Sequence, residues 1–430
     1  MLHQFTFKNF KSFKEEVTLD LTATAIKEHM EDIFTDIFDE KVLTVAAIYG
    51  ANASGKSNVL EAFQYMRMVV LHSFGKNELL SEHAFNNVSH WFDREQPTEF
   101  EVIFSHRGSI YQYGFCILQS KVIEEYLYKR DESVKKEKFE LQFERFPEKI
   151  SFISESLSEL SSPFTELFDE QTLVLSILSS LKIELARDVF DWFRQSSVID
   201  YGNPFFEFYQ NRTFGQASKI NRGHWLLKAV EDSESKRKLE QFIKAIDVGI
   251  ERFEIVETEL SNDIEDEETQ NKRVVTVHND PQTGDEIRTT ISIESSGTQK
   301  MLLLYNYLDE ALENGYTLFI DELDAKLHHL IVRFILIMFH DPTRNKKGAQ
   351  LIFTTHDVYS LDSENFRRDE IWFVDKADNS VSDLYSLYEY KDEYKRKIRK
   401  DASYAKDYIA GRYDSIPRIY RDWEELDGEK

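Results

Sequence analysis

One octapeptide limits what this chain can fold into. Gly50-Ala51-Asn52-Ala53-Ser54-Gly55-Lys56-Ser57 satisfies the pattern G-x-x-x-x-G-K-[ST] in full. It follows a fully apolar run, Leu43 to Tyr49, which reads as a strand buried in a mixed or parallel sheet. It precedes Val59, Leu60, Phe63, Met66 and Val70, spaced as on one face of a helix. Strand, glycine turn and helix are the context this motif needs to bind phosphate. Gly50 and Gly55 let the backbone curl so that successive N–H groups point at phosphate oxygens. The helix then aims its positive end at the same anion. Lys56 is expected to bridge the β- and γ-phosphates of ATP, and the Ser57 hydroxyl to bind Mg²⁺. Asn52, Ser54 and Asn58 lie in the same stretch and are expected to contact the nucleotide.

Three further segments fit that chemistry. Thr317-Leu318-Phe319-Ile320-Asp321-Glu322 is a short apolar strand ending in two carboxylates. Beside a phosphate loop, Asp321 is expected to order Mg²⁺, and Glu322 to accept a proton from the attacking water. Ile352-Phe353-Thr354-Thr355-His356-Asp357 is a second apolar strand, delivering His356 to its carboxyl end as a sensor of the γ-phosphate. Glu294-Ser295-Ser296-Gly297-Thr298-Gln299-Lys300 lies between a strand pattern and a helix pattern. Its small residues suit a helix start, where Ser295 or Ser296 can cap and free N–H groups can meet an anion.

With 430 residues the chain is too long for one ordinary core. Strand patterns open it, and residues 99–128 read as an antiparallel meander turning first at Arg107-Gly108. Residues 165–195 and 224–248 read as amphipathic helices, and 253–293 return to strands around an acidic loop, Asp263 to Glu268. The last third alternates: helix 297–313, strand 316–321, helix 326–340, strand 349–354, helix 358–366, strand 370–375. Strands alternating with helices mean an α/β sheet. The expected lobes are 1–130, a mainly helical insertion at 131–250, and 251–430. No sustained heptads argue for a long coiled coil.

Net charge is −25, so contact with a polyanion must use a local basic surface. Lys391 to Lys400 offers such a segment, or simply a solvated helix face. The single Cys116 excludes a disulfide framework and a cysteine zinc site. No apolar run reaches the ~18 residues that cross a bilayer, and the amino terminus lacks a signal-peptide pattern. The expectation is a cytoplasmic protein with no membrane contact.

The order of phosphate loop, Ser-x-Gly helix start, apolar strand with Asp-Glu, Leu323-Asp324 and Thr-His resembles that of ABC-type ATPases. Lys8-Asn9-Phe10-Lys11-Ser12-Phe13 resembles the first strand of the branch holding the SMC, RecF and OLD proteins. The implied fold is an α/β P-loop ATPase head with a mixed sheet, an antiparallel β subdomain and a helical insertion. The implied reaction is Mg-dependent hydrolysis of ATP to ADP and phosphate. The implied assembly is a homodimer or higher oligomer with ATP at its interface, where Ser295 and Gly297 reach the γ-phosphate held by the neighbouring subunit. Asp324 becomes an interface residue, His356 the switch histidine and Lys11 a cation near the phosphates. Ser296 and Thr298 stand where the usual element has a second Gly and a Gln or Glu. The variant E-S-x-G-T element and the tail Gly411-Arg412-Tyr413…Ile416-Pro417 resemble the AAA15 family of abortive-infection ATPases, the RloA, AbiL and PARIS AriA type. That resemblance implies a toxin–antitoxin-like role in bacterial anti-phage defence, controlling an effector such as a Toprim-like nuclease encoded nearby. The alternative is a RecF- or SMC-like DNA-repair ATPase contacting duplex DNA. A membrane-transporter subunit fits least, for want of any membrane segment.

Overall fold

The computed structural model describes residues 1–75, 88–131, 138–154, 157, 169–201, 224–246, 249–257, 272–325, 327–392 and 394–416. The chain divides into two compact units. One comprises Met1–Gly202, Leu312–Ala325 and Val332–Lys430, the other Asn203–Ala311 and Lys326–Ile331.

The amino-terminal residues form β1 (Leu2–Lys8), β2 (Val17–Asp20), β3 (Ile33–Thr35), β4 (Lys41–Leu43), β5 (Val45–Gly50) and then α1 (Lys56–His72). A meander follows: β6 (Thr98–His106), β7 (Ser109–Leu118), β8 (Lys121–Asp131), β9 (Glu140–Phe146) and β10 (Lys149–Phe152). After it come α2 (Val174–Ser180), α3 (Glu184–Gln195) and β11 (Ser197–Asp200). The second unit holds α4 (His224–Glu231), α5 (Ser233–Ala245), β12 (Arg252–Glu257), β13 (Lys272–Asn279), β14 (Glu286–Thr290) and the start of α6 (Ser296–Asn314). The last stretch contributes β15 (Thr317–Asp321), α7 (His329–His340), β16 (Gln350–Thr354), β17 (Ile371–Lys376), β18 (Ser382–Ser386) and α8 (Tyr404–Ile409).

In the first unit a six-stranded sheet runs in the order β11-β15-β16-β5-β17-β18, parallel except for β18. Its inner strands are mostly apolar because both faces are covered, and β5 and β16 are buried along their whole length. A seven-stranded antiparallel sheet has the order β10-β9-β8-β7-β6-β1-β2. Arg107 and Gly108, both at positive φ, make the tight turn between β6 and β7. The core lies between the sheets and is aromatic. Phe63 of α1 stacks on Phe319 of β15 at 4.2 Å and meets Phe5 of β1 edge-on at 5.4 Å. Trp192 of α3 stacks on Phe104 of β6 at 4.0 Å. In this way α1 is held between both sheets, which fixes where its first turn points. In the second unit β12, β13 and β14 form an antiparallel sheet in that order.

The architecture is the expected α/β P-loop ATPase head, with mixed and antiparallel sheets and helices between β10 and β12. Its divisions fall elsewhere than expected. Residue 130 lies inside the seven-stranded sheet, where β8 pairs with β9 through Leu127↔Phe143. Residue 250 lies inside the second unit. Residues 358–366 form turns, not a helix. Asp357 accepts from Tyr359 N, and Asp362 from the backbone N–H of Glu364 and Asn365, so side chains take the donors that a helix would use. The described residues between Lys391 and Lys400 are likewise not helical; Asp392 folds back onto Arg396. The acidic run from Asp263 to Glu268 and Pro417 lie outside the described residues. No helix among the described residues is long and apolar enough to cross a membrane.

Candidate nucleotide site

The parallel sheet brings the carboxyl ends of β5, β15 and β16 side by side, and three of the sequence segments meet there. At the end of β5 the chain turns through Gly50 (φ 158°), where a Cβ would come within 2.5 Å of Val374 O. Gly55 (φ 110°) opens α1, and a Cβ there would strike the hydroxyls of Ser12 and Ser382 at 2.5 and 2.8 Å. Those two serines brace the outside of the loop. Ser382 Oγ donates to Ser54 O at 2.5 Å, and Asn58 Nδ2 donates to Ser12 Oγ at 2.7 Å. No side chain caps the first turn of α1, a helix start that suits an anion, although Asn58 N already donates to Gly55 O at 3.0 Å.

Lys56 folds over this loop. Its ammonium donates to the carbonyls of Gly50 (2.8 Å) and Ala51 (3.0 Å). Burial lowers its pKa to about 8, against the pull of Asp321, Glu322 and Asp324. Thr354, at the end of β16, organises the carboxylates. Its hydroxyl donates to Asp321 Oδ1 at 2.5 Å and accepts from Glu322 N at 2.8 Å. Glu322 sits in the left-handed region at φ 52°, uncommon outside glycine, and Leu323 N donates to Thr354 O at 3.1 Å behind it. His356 N donates to both oxygens of Asp324, at 3.2 and 3.3 Å. Burial, then Lys56, depresses the His356 pKa, so the ring is neutral at neutral pH.

A cavity of about 400 Å³ is lined by Asn52, Lys56, Ser57, Asn58, Glu322 and His356, with Thr354 and the loop backbone at Ala51, Ala53 and Gly55. Gly50 and Ser54 support the loop from behind, while Asp321 and Asp324 are tied to Thr354 and His356. Lys11 is placed differently: its ammonium pairs with Glu61 on α1, and its neighbour Ser12 touches the loop instead. Thr354 was readable beside His356 in the Thr-Thr-His run, but Ser382 carries no sequence signal; only pairing of β18 with β17 brings it near.

Ser295 and Gly297 lie in the second unit. Ser295 Oγ accepts from Thr298 N at 3.1 Å and so caps α6. Among the described residues, a Cβ on Gly297 would meet only Ser295 Oγ, at 3.6 Å. Just ahead, Glu294 Oε1 accepts from Thr276 (2.5 Å), His278 (2.8 Å) and Thr289 (2.9 Å). Burial disfavours the Glu294 charge, but these three hydrogen bonds outweigh it and hold its pKa below the usual range. The helix start is thereby pinned to the three-stranded sheet.

A family model described as "AAA domain, putative AbiEii toxin, Type IV TA system" matches residues 45–362. Among solved structures the chain is similar to the SMC head domain from Thermotoga maritima, at 13% identity and TM-score 0.40, covering 90% of this chain and 98% of that one. It is also similar to the recombination mediator protein RecF with ATP, at 12% identity and TM-score 0.31, covering 89% and 97%. These are distant likenesses. Among curated proteins, none matches the sequence. The family match begins at β5, takes in the phosphate loop, the Asp-Glu pair and His356, and spans well over half of the chain; the protein belongs to this AAA-domain ATPase family.

Proposed function

We propose that the protein binds Mg-ATP on the Gly50–Ser57 loop, hydrolyses it to ADP and phosphate, and uses the cycle to control a partner in bacterial anti-phage defence. The observation that carries the reading is the single cavity lined by the phosphate loop, Glu322 and His356. Loop N–H groups and the Lys56 ammonium hold the phosphates; Glu322 takes the proton of the attacking water; the neutral His356 ring contacts the γ-phosphate. Ser57 and Asp321 offer a hydroxyl and a carboxylate, the oxygen donors Mg²⁺ prefers, and would hold the ion, which neutralises developing phosphate charge. Ser295 and Gly297 of a second copy complete the site in a homodimer or higher oligomer. The family description, naming a toxin of a type IV toxin–antitoxin system, supports a defence role. The partner would be an effector such as a Toprim-like nuclease, and the compartment the cytoplasm.

Steady-state ATP hydrolysis by the purified chain, alongside phage plating of cells carrying it with its neighbouring gene, tests this. Lys56→Ala should abolish tight nucleotide binding, turnover and protection together. Parental turnover in Lys56→Ala would refute the site. Hydrolysis without protection, together with duplex-DNA binding that falls steeply with salt, would favour the repair reading instead.

A further inference from the structure

Thr354 closes β16, lines the nucleotide cavity and is otherwise fully buried. Register explains its place. β15 and β16 run parallel with Ile320 opposite Phe353, so Thr354 comes level with Asp321, the last residue of β15. There the ladder ends and the chain turns through Glu322 at φ 52°. Three successive residues are tied to Thr354. Asp321 Oδ1 accepts from its hydroxyl at 2.5 Å, Glu322 N donates to that hydroxyl at 2.8 Å, and Leu323 N donates to its carbonyl at 3.1 Å.

The hydroxyl does two opposite things at once. It carries one proton and two lone pairs. A carboxylate only accepts, so the proton goes to Asp321, while a lone pair takes the Glu322 N–H. A hydroxyl whose proton is spent in this way is not a donor to bound nucleotide. Thr355, its neighbour in the Thr-Thr-His run, is engaged elsewhere: its N–H donates to Ile48 O of β5, and its hydroxyl accepts from Asp357 N at 2.9 Å. Alternation along a strand sends the two side chains to opposite faces, so one threonine of the pair meets the carboxylate end of β15 and the other does not.

Both bonds act on groups assigned to the chemistry. A hydrogen bond to an ionised carboxylate is among the strong ones, and it engages Oδ1 of Asp321. Oδ2 is left as the oxygen with no hydrogen bond among the described residues. Carboxylates that hold a cation are oriented in this manner by an outer partner. Glu322 needs a different service. A non-glycine residue in the left-handed region persists only where its surroundings over-determine it, and the Thr354 hydroxyl supplies one of the two bonds that do so. β-Branching restricts Thr354 to few rotamers, so both bonds are aimed by one stiff side chain.

We propose that Thr354 is a positioning residue for hydrolysis, its single hydroxyl setting the Asp321 carboxylate for Mg²⁺ and the Glu322 turn for the attacking water. The inference rests on the roles of Asp321 and Glu322 proposed above.

The test compares full-length Thr354→Val, which keeps shape and drops both side-chain bonds, with Thr354→Ser, which keeps them. The main-chain tie to Leu323 survives in either. Steady-state kcat and KM are measured with equilibrium ATP affinity, the latter in Mg²⁺ and again in EDTA. In Thr354→Val, kcat should fall by roughly 10–100-fold, the usual cost of removing a ligand's outer partner, and the gain in ATP affinity that Mg²⁺ gives should shrink. Affinity in EDTA, where the loop and Lys56 act alone, should stay parental. Thr354→Ser should recover most of the lost turnover, which a merely space-filling role would not require. Should Thr354→Val lose its parental affinity in EDTA, Thr354→Ala carries the same comparison without the added methyl. Parental kcat and an undiminished Mg²⁺ gain in a hydroxyl-free variant, or no recovery in Thr354→Ser, would overturn the inference. Lys56→Ala keeps the two readings apart. Hydrolysis that survives Lys56→Ala refutes the nucleotide site and this role together; hydrolysis lost in Lys56→Ala yet intact in Thr354→Val refutes the role of Thr354 alone.

Discussion

Glu322 shows how a single residue here is fixed by its neighbours rather than by its own preference. A non-glycine residue at φ 52° is held by two backbone hydrogen bonds to Thr354, one on each side of the turn. The result is a carboxylate presented to the cavity that also contains the Lys56 loop. Glu322→Gln preserves shape and the backbone ties while removing the proposed base. Equilibrium nucleotide binding should be retained, and steady-state hydrolysis should fall by roughly 10²–10⁴-fold, the usual worth of a general base. Unchanged turnover would move the base elsewhere, His356 being next in line. At this scale the sequence marked residues that the fold does bring together, Lys56, Asp321 and Glu322, because the chemistry expected of them ties residue type to fixed spacing. It was not legible at Lys11, whose charge finds Glu61, a helix neighbour that no local pattern predicts. Nor was it at Ser382, which meets the loop only after β18 has paired.

Elements here lean on distant side chains. The first N–H groups of α2 receive no local cap; Glu125 of β8 accepts from Val174 N at 2.6 Å and Leu175 N at 2.9 Å, and from Tyr113 OH at 2.9 Å. The carboxylate is fully buried, and burial raises its pKa despite Arg145 and the N–H groups. Glu125→Ala would orphan two or three buried donors at about 1–3 kcal/mol each. We expect a loss of about 3 kcal/mol or more, read as a lower urea midpoint, whereas Lys56→Ala should leave that midpoint near the parent's. An unchanged midpoint in Glu125→Ala would show that α2 does not depend on this cap. The same long-range logic separates the elements that could be read from those that could not. Alternation in β1 and β6 to β8, and apolar runs in β5, β15 and β16, are set by burial and are plain in the sequence. Residues 358–366 carried helix-like spacing, but Asp357 and Asp362 satisfy their backbone otherwise.

At the scale of the whole molecule, the chain carries in different units the two helix starts proposed to meet phosphate: α1 behind Gly55, and α6 behind Ser295. Glu294, locked to Thr276, His278 and Thr289, holds the second rigidly, as a surface that must meet a partner would require. If each nucleotide is shared between copies, damage to one half of the site can be complemented by damage to the other. Gly297→Glu suits this test, since among the described residues an added Cβ meets only Ser295 Oγ, at 3.6 Å, an ordinary van der Waals contact. The new carboxylate would oppose the γ-phosphate of the neighbouring copy, where like charges in a water-poor interface repel strongly. ATP should still bind through Lys56, but hydrolysis should be lost. Mixed with Lys56→Ala chains, some interfaces would join an intact phosphate loop to an intact Ser-x-Gly helix, and part of the activity should return. Each mutant alone stays inactive, so any recovery in the mixture reports a site built from two chains. If mixed oligomers demonstrably form and no ratio restores hydrolysis, either each site is complete within one chain or all must fire together. A tethered dimer carrying both mutations on one half separates those cases: one intact chain suffices only if the site is not shared.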